Sequence, residues 1–352
     1  MFLRDVWYVA AWDDEVGHRP LARTLLNEAV VLYRGANGRP VALEDRCCHR
    51  HLPLRMGKVD GDNIQCGYHG LTFDRQGQCV SIPGQTAVPL GASVKSYPVV
   101  ERDRWIWIWM GDPSSADAAL IPDFHWLVDP AWGSKGSMFH VDCHYQLVMD
   151  NLLDPSHIAF VHSDTIGNAP VVDQANVKTE RDGDIIRVTR WTLDAPPAPT
   201  YAEAGNFSGN IDRWQITEAI PPCFIRHDSG GAPAGSGVTE GDRSQAIGFY
   251  NFDAITPETE TSCLFFWACA HDFKVDDPEV TDWYYRQIHK ANFEDVEILE
   301  AQQASISRDP EAPTIDINCD SGPMQARRVV EDLTRAERSA SAPLAGPRAA
   351  SV

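Results

Sequence analysis

Apolar positions in the first third of the chain come in short alternating or continuous bursts, separated by glycine-centred turns. On this pattern VVLYRG (30–35), PVALED (40–45), LTFDRQGQCVSI (71–82) and VVERDRWIWIWMGD (99–112) are expected strands. Arg75-Gln76-Gly77-Gln78 reads as a hairpin turn inside the third of them. Trp105, Trp107 and Trp109 fall on one strand face and Ile106 and Ile108 on the other, the signature of a strand buried on both sides. These strands predict a small β-sandwich over residues 1–115. The turn-rich run Gly111-Asp112-Pro113-Ser114-Ser115-Ala116-Asp117 marks its end. Further strands are expected at DIIRVTRWTL (184–193) and SCLFFWACA (262–270), and helical segments near 145–162 and 279–305. Residues 229–243, rich in Gly, Ser, Ala and Pro, read as an exposed loop. The pattern therefore predicts an α+β chain with a second domain over 116–338. Residues 339–352 lack bulky apolar residues and read as a disordered tail.

Composition narrows the picture. Hydrophobic content of 43% and charged content of 23% over 352 residues describe an ordinary globular chain with room for two cores. No apolar run is long enough to span a bilayer, and the N-terminus MFLRDVWYVAAWDDE lacks the uninterrupted apolar centre of a signal peptide. Nine cysteines without a disulfide-like spacing fit a reducing, cytoplasmic setting. A formal net charge of −20 argues against nucleic acid as a partner.

The chemistry concentrates first between Cys47 and His69. Cys47-x-His49 and Cys66-x-x-His69 each pair one thiolate with one imidazole. A zinc finger usually places its thiolates on one arm and its imidazoles on the other. Mixed arms instead suit a [2Fe–2S] cluster with both Cys on one iron and both His on the other. Glycines at 57, 61, 67 and 70, with Pro53, allow two loops to close tightly over such a group.

A second constellation lies between Asn151 and His162. Rotation of about 100° per residue sets Asn151, Asp154 and His157 along one side of a helix. Two imidazoles and a carboxylate suggest the open facial triad of non-haem iron(II). The third ligand is expected on the C-terminal helix, where Glu294 and Asp295 compete. Asp295 shares its side with Ile288, Ala291, Ile298, Leu299 and Gln302, the more apolar and hence inward side. An ideal helix would hold His157 and His162, five apart, about 140° from each other. A helix end or a π-type turn is therefore expected between them.

These motifs resemble the Rieske non-haem iron oxygenases. Asp154, His157 and His162 fill the family's D-x-x-H-x-x-x-x-H iron motif. Trp7-Tyr8-Val9-Ala10-Ala11-Trp12 and Thr256-Pro257-Glu258-Thr259-Glu260 are similar to the vanillate O-demethylase, dicamba demethylase and toluenesulfonate methyl-monooxygenase subgroup. The resemblance implies a Rieske [2Fe–2S] β-sandwich domain joined to a helix-grip catalytic domain. Cys47, His49, Cys66 and His69 would bind the cluster; His157, His162 and Asp295 would bind mononuclear Fe(II), with Asn151 nearby. It also implies a homotrimer that mono-oxygenates a small aromatic acid with O2, by O-demethylation to a phenol and formaldehyde. NADH would act only through a separate flavin and iron–sulfur reductase, consistent with the absence of a G-x-G-x-x-G after a strand. Methyl hydroxylation, ring cis-dihydroxylation and a purely electron-transferring Rieske protein are the competing readings.

Three finer expectations follow. Asp154 is expected to bridge the imidazoles of His69 and His157 between neighbouring subunits, its carboxylate accepting from the outer nitrogen of His157. Arg46, Arg50, Arg55 and Lys58 form a local positive patch for an acidic redox partner, or contribute to a subunit interface. Asp253, by resemblance to the dicamba type, and Arg226, as a bidentate partner for a carboxylate or sulfonate, are substrate-binding candidates; the alternative for both is an ordinary surface charge.

Overall fold

The computed structural model describes residues 2–341. The N-terminal lobe consists of β1 (Trp7–Trp12), β2 (Leu21–Leu25), β3 (Glu28–Arg34), β4 (Pro40–Glu44), β5 (Lys58–Asp60), β6 (Asn63–Gln65), β7 (Thr72–Phe73), β8 (Cys79–Ser81), β9 (Ser96–Tyr97), β10 (Val99–Arg102) and β11 (Trp105–Trp109). They form three sheets, ordered β2-β3-β4-β9, β5-β6-β7-β8 and β1-β11-β10. The run expected as one strand over 99–112 is a hairpin. Asp103 and Arg104 both take positive φ, 52° and 67°, and fold β10 back on β11. Two successive left-handed residues are what a tight hairpin turn requires, and the polar pair interrupts the apolar run there. All of β11 is buried, its tryptophans included.

Packing gives this lobe two cores. Val31, Tyr33, Leu43, Leu54, Ile64 and Phe73 pack beneath the cysteine loops. β1 and β11 belong to a larger core continuous with the second lobe: Trp105 meets Phe124 edge-on at 5.1 Å, and Trp107 lies 5.4 Å from Phe224.

The second lobe begins with β12 (Gly133–Val141), α1 (Tyr145–Leu153), α2 (Ile158–Val161) and α3 (Pro170–Asp173). β13 (Asn176–Asp182), β14 (Ile185–Ala195), α4 (Pro199–Gly205), β15 (Ile211–Ile220), β16 (Phe224–Pro233), β17 (Ile247–Thr259) and β18 (Ser262–His271) follow. α5 (Pro278–Arg308) and α6 (Ser321–Ser341) complete it. The strands make one antiparallel sheet, β12-β18-β17-β16-β15-β14-β13: a meander from β13 to β18, with β12 added on the β18 edge. α5 packs against β12 and β18 in a helix-grip arrangement. Asp277 caps α5 by accepting from Glu279 N at 3.0 Å, and Pro278 starts it. Its buried stripe runs Tyr284, Ile288, Ala291, Asp295, Val296, Leu299, a helical spacing that carries one carboxylate inward; Ile298 lies off the stripe, 45% exposed.

Three expectations are corrected here. Residues 229–233 are not loop but the inner half of β16, and the loop begins after Pro233. Glycine suits this strand because a Cβ on Gly230 would lie 2.2 Å from the Trp214 ring and 2.4 Å from the Ile247 carbonyl. The helix expected over 145–162 breaks at Pro155. Asp154, preceding the proline, is extended (φ −114°, ψ 93°) and a short 3₁₀ turn carries His157. The expected tail begins later than residue 339, since α6 runs to Ser341; the remainder of that tail lies outside the described residues.

The Thr256–Glu260 segment seams the lobes. Pro257 and Glu258 carbonyls accept from Leu26 N (3.0 Å) and Asn27 N (2.8 Å), and Thr256 Oγ1 donates to the Val9 carbonyl at 2.7 Å. No helix among the described residues is long and apolar enough to cross a membrane.

Candidate metal centres and the cavity between them

Cys47 and Cys66 open two loops of the same construction. Each cysteine N–H donates to the carbonyl of the leucine five residues on, Leu52 at 2.9 Å and Leu71 at 2.8 Å. Each cysteine carbonyl accepts from the residue four on, His51 N at 3.0 Å and Gly70 N at 3.1 Å. His51 and Gly70 occupy matching places and both have positive φ, 58° and 74°. The loops then press on one another. A Cβ at Gly57 would lie 2.0 Å from the Gln65 carbonyl, and one at Gly67 2.6 Å from the Met56 carbonyl.

This scaffold sorts the donors. The two thiols are buried, 2% and 3% exposed, and lie together; burial, with Cys66 adjacent, pushes the Cys47 thiol up to about 11. His49 and His69 are exposed, and their rings meet at 4.5 Å between centroids. A sulfur pair inside and a nitrogen pair outside fit a cluster with one iron for each pair. Binding must displace the thiol protons, which a metal does readily.

The second group is assembled from distant elements. His157, His162 and Asp295 offer ligand atoms that all lie within 4.8 Å of one another. His162 Nε2 is 3.1 and 3.2 Å from the two Asp295 oxygens, and His157 Nε2 is 3.4 Å from Asp295 Oδ1. The far side of each ring is held. His157 Nδ1 donates to the Asp154 carbonyl at 2.7 Å, and His162 Nδ1 to Glu294 Oε2 at 2.8 Å. Anchored Nδ1–H groups turn both Nε2 atoms toward Asp295, the orientation a metal needs. Asn151 Nδ2 donates to Asp295 Oδ1 at 3.1 Å and orients that carboxylate.

Electrostatics agree with a cation site. Burial lowers the pKa of His157, against the pull of Asp295, so its ring is neutral at neutral pH. Burial also penalises the His162 cation, but Asp295 and Glu294 outweigh it and raise its pKa. The proton they favour between His162 Nε2 and Asp295 occupies the place a metal would take. With that proton displaced, two ring nitrogens and one carboxylate fit non-haem Fe(II).

α2 ends at Val161, so no regular helix joins His157 to His162, and the geometry is a 3₁₀ turn and a helix terminus rather than a π turn. Asp295 is drawn inward on α5, while its neighbour Glu294 reaches the back of His162. The Asp154 carboxylate does not meet His157. It accepts from Ser156 N (3.0 Å) and Ser156 Oγ (2.7 Å) and lies 3.6 Å from Arg190 Nη2.

A cavity of about 80 Å³ opens on the three donors. It is walled by α4, β15–β17 and α5, with Thr200, Arg213, Gln215, His227, Asn251 and Asp253 among its polar lining. Asp253 is 3% exposed; burial raises its pKa, and His227, 3.4 Å away, opposes the shift. Arg226 is elsewhere. It bonds Glu218 through Nε at 2.9 Å and through Nη2, and stacks over Trp126 at 5.6 Å, so it does not line the cavity. Register explains it: Arg226 sits opposite Glu218, while His227 and Ser229 on the alternate face of β16 line the cavity. Arg213, Gln215 and Thr200 were not anticipated. The available signal was polar residues alternating with Trp214 and Ile216 along β15.

The positive patch is largely consumed. Arg46 pairs with Glu44 at 2.7 Å and Arg55 with the buried Asp45, leaving Arg50 and Lys58 without ion-pair partners among the described residues.

Comparison with known proteins places these features. A family model for the vanillate O-demethylase oxygenase C-terminal domain matches residues 141–336, and one for the Rieske [2Fe-2S] domain matches residues 6–98. The iron-sulfur subunit of the toluene-4-sulfonate monooxygenase system of Comamonas testosteroni is 42% identical, over 97% of this chain and 100% of that protein. The dicamba O-demethylase oxygenase component of Stenotrophomonas maltophilia is 35% identical over 96% of this chain and 99% of its own length. The crystal structure of dicamba monooxygenase bound to dicamba matches with a TM-score of 0.87 at 34% identity, covering 96% of this chain and 99% of that one.

Proposed function

This chain belongs to the Rieske oxygenases of the vanillate O-demethylase type, and from that premise we propose that it mono-oxygenates a small aromatic acid, by O-demethylation of a methoxybenzoate. The observation that carries this is a facial His157–His162–Asp295 group on the wall of a cavity lined by polar side chains. Residues 1–115 form the cluster domain and 116–338 the catalytic domain. Cys47, His49, Cys66 and His69 hold the [2Fe–2S] cluster; His157, His162 and Asp295 hold the iron. When bound, the two centres supply electrons and activate O2 at a position next to the substrate.

The chain's own residues hold and connect these centres. The Asp154 carbonyl and Glu294 fix the two iron imidazoles, Asn151 fixes Asp295, and Asp253 with His227 lines the substrate side. His69 is exposed on the cluster lobe, and the Asp154 carboxylate bonds Ser156 and faces Arg190 within its own chain. In this proposal the electron bridge therefore forms in a homotrimer, with His69 of one subunit meeting Asp154 of the next. Electrons come from NADH through a separate flavin and iron–sulfur reductase.

The 42% identity to a toluenesulfonate monooxygenase subunit favours a second reading, methyl hydroxylation of an arylsulfonate. Purified protein with both metals, a compatible reductase, NADH and O2 is supplied with vanillate, 3-methoxybenzoate or toluene-4-sulfonate. Formaldehyde plus phenol in equal amounts supports demethylation, and a benzylic alcohol supports the second reading. Cluster re-oxidation that never yields an oxygenated aromatic across such acids refutes both.

A further inference from the structure

The cavity wall carries a charge that has no ion-pair partner among the described residues. Arg213 projects from β15, opposite Thr192 of β14 and Gly231 of β16, and is 4% exposed. Its Nε and Nη1 are buried without an acceptor, and it forms no ion pair with any described residue. Its guanidinium lies over the Tyr201 ring, 4.0 Å from the centroid, which holds the planar fork in place. The other arginines of this sheet are all engaged. Arg190, though its Nε is also unpaired, donates to the Val171 carbonyl at 2.7 Å and faces Asp154 at 3.6 Å; Arg181 bonds the Gly183 carbonyl, and Arg187 and Arg226 share Glu218. The acids lining the cavity are Asp253, beside His227, and Asp295, among the iron donors; neither reaches Arg213.

A buried, unpaired guanidinium is strongly unfavourable unless a partner arrives. The hydroxyl of Thr200, 2% exposed, stands equally unpaired on the same wall. We propose that Arg213 is the anion anchor of the substrate site and takes the carboxylate or sulfonate of an aryl acid in a bidentate grip. The anchoring role rests on the cavity being the substrate site of the oxygenase reading, and it replaces the sequence-based assignment of that role to Arg226. It also explains why an acidic chain, with net charge −20, can admit an anion: the attraction is local and desolvated. Substrates then divide by their charged end, with neutral analogues of the same shape excluded by an unpaired cation.

The test is a binding comparison on protein loaded with both metals, using 3-methoxybenzoate, toluene-4-sulfonate and the neutral 3-methoxybenzamide, by calorimetry under argon. Wild type is expected to bind at least one acid about 10-fold or more tighter than the amide. Arg213→Gln is expected to lose on the order of 100-fold for that acid and to change the amide less than about 3-fold, with Arg213→Lys between. The preferred acid identifies the group as carboxylate or sulfonate. A second readout needs no ligand: Arg213→Met should raise the melting temperature of the ligand-free protein, because an unpaired buried charge is removed. A structural arginine would lower it. Equal loss for acid and amide, unchanged acid binding in Arg213→Gln, or wild type that binds neither acid better than the amide overturns the anchor. Turnover by Arg213→Gln with unchanged acid affinity sinks the anchor and leaves the oxygenase reading standing. Arginine-dependent acid binding without oxygenated product does the reverse.

Discussion

The two candidate metal centres are built in opposite ways. The cluster loops carry their donors within one stretch, Cys47 to His69, and each loop is closed by its own backbone hydrogen bonds. The iron group joins residues 133 apart, His162 and Asp295, and depends on a broken helix and a long helix meeting over a sheet. The first centre is thus a property of local chain geometry, while the second is a property of the tertiary fold. The first presents its imidazoles to the outside; the second keeps His162 and Asp295 buried, 1% and 4% exposed, at a cavity wall. Exchange of electrons needs reach, and oxygen chemistry needs enclosure.

The sharpest way to separate the centres is to remove one donor. Asp295→Ala is expected to empty the iron site while leaving the visible spectrum of the cluster intact. Turnover should fall by more than about 10³-fold, since the metal supplies several kcal/mol at the transition state. Metal analysis checks this, and loss of the cluster spectrum would break the independence of the two sites. Asp154→Asn comes next. Because His157 is held by the Asp154 carbonyl, the variant should keep its iron, yet oxidation of reduced cluster by O2 with substrate bound should slow by about 100-fold. Near-normal single-turnover oxidation would end the bridging role, and loss of iron would show that the side chain orients the ligand. Glu294→Gln removes the charged acceptor behind His162 and should weaken iron binding by about 10-fold, read by chelator competition, with no change at the cluster. The smallest effect belongs to the outer surface: Arg50→Glu with Lys58→Glu should slow reduction by the reductase a few-fold, and only at low salt. Equal rates at low and high salt would place those residues outside the docking path.

How much was legible follows from the same contrast. The cluster donors and the glycines that let their loops touch sit in one readable segment. Asp295 was legible because it lies on the apolar stripe of α5, and Glu294 was not, because its work is done one residue round the helix on a ring far away in the chain. The break before His157 hides in a single Pro155, whose effect the spacing of histidines did not locate. Arg226 and Arg213 show the limit most clearly. Both lie on strands where apolar and polar residues occupy either side, so parity along the strand cannot be assigned without the register. One residue of offset separates Arg226, tied to Glu218, from His227 on the cavity wall.

The Trp105–Trp109 strand has a consequence for anyone recombining these proteins. It lies early in the chain but packs with Phe124 and Phe224, so a graft joined at residue 116 would tear a native interior and pair two unmatched halves. A smaller interior, built from residues between Val31 and Val94, lies under the cluster loop pair, while Leu32 and Ala42 of the same stretch face the shared core. Moving that redox module between relatives, with the cavity and its selectivity left behind, therefore requires Leu32, Ala42 and the Leu26–Asn27 turn to stay matched to the second lobe.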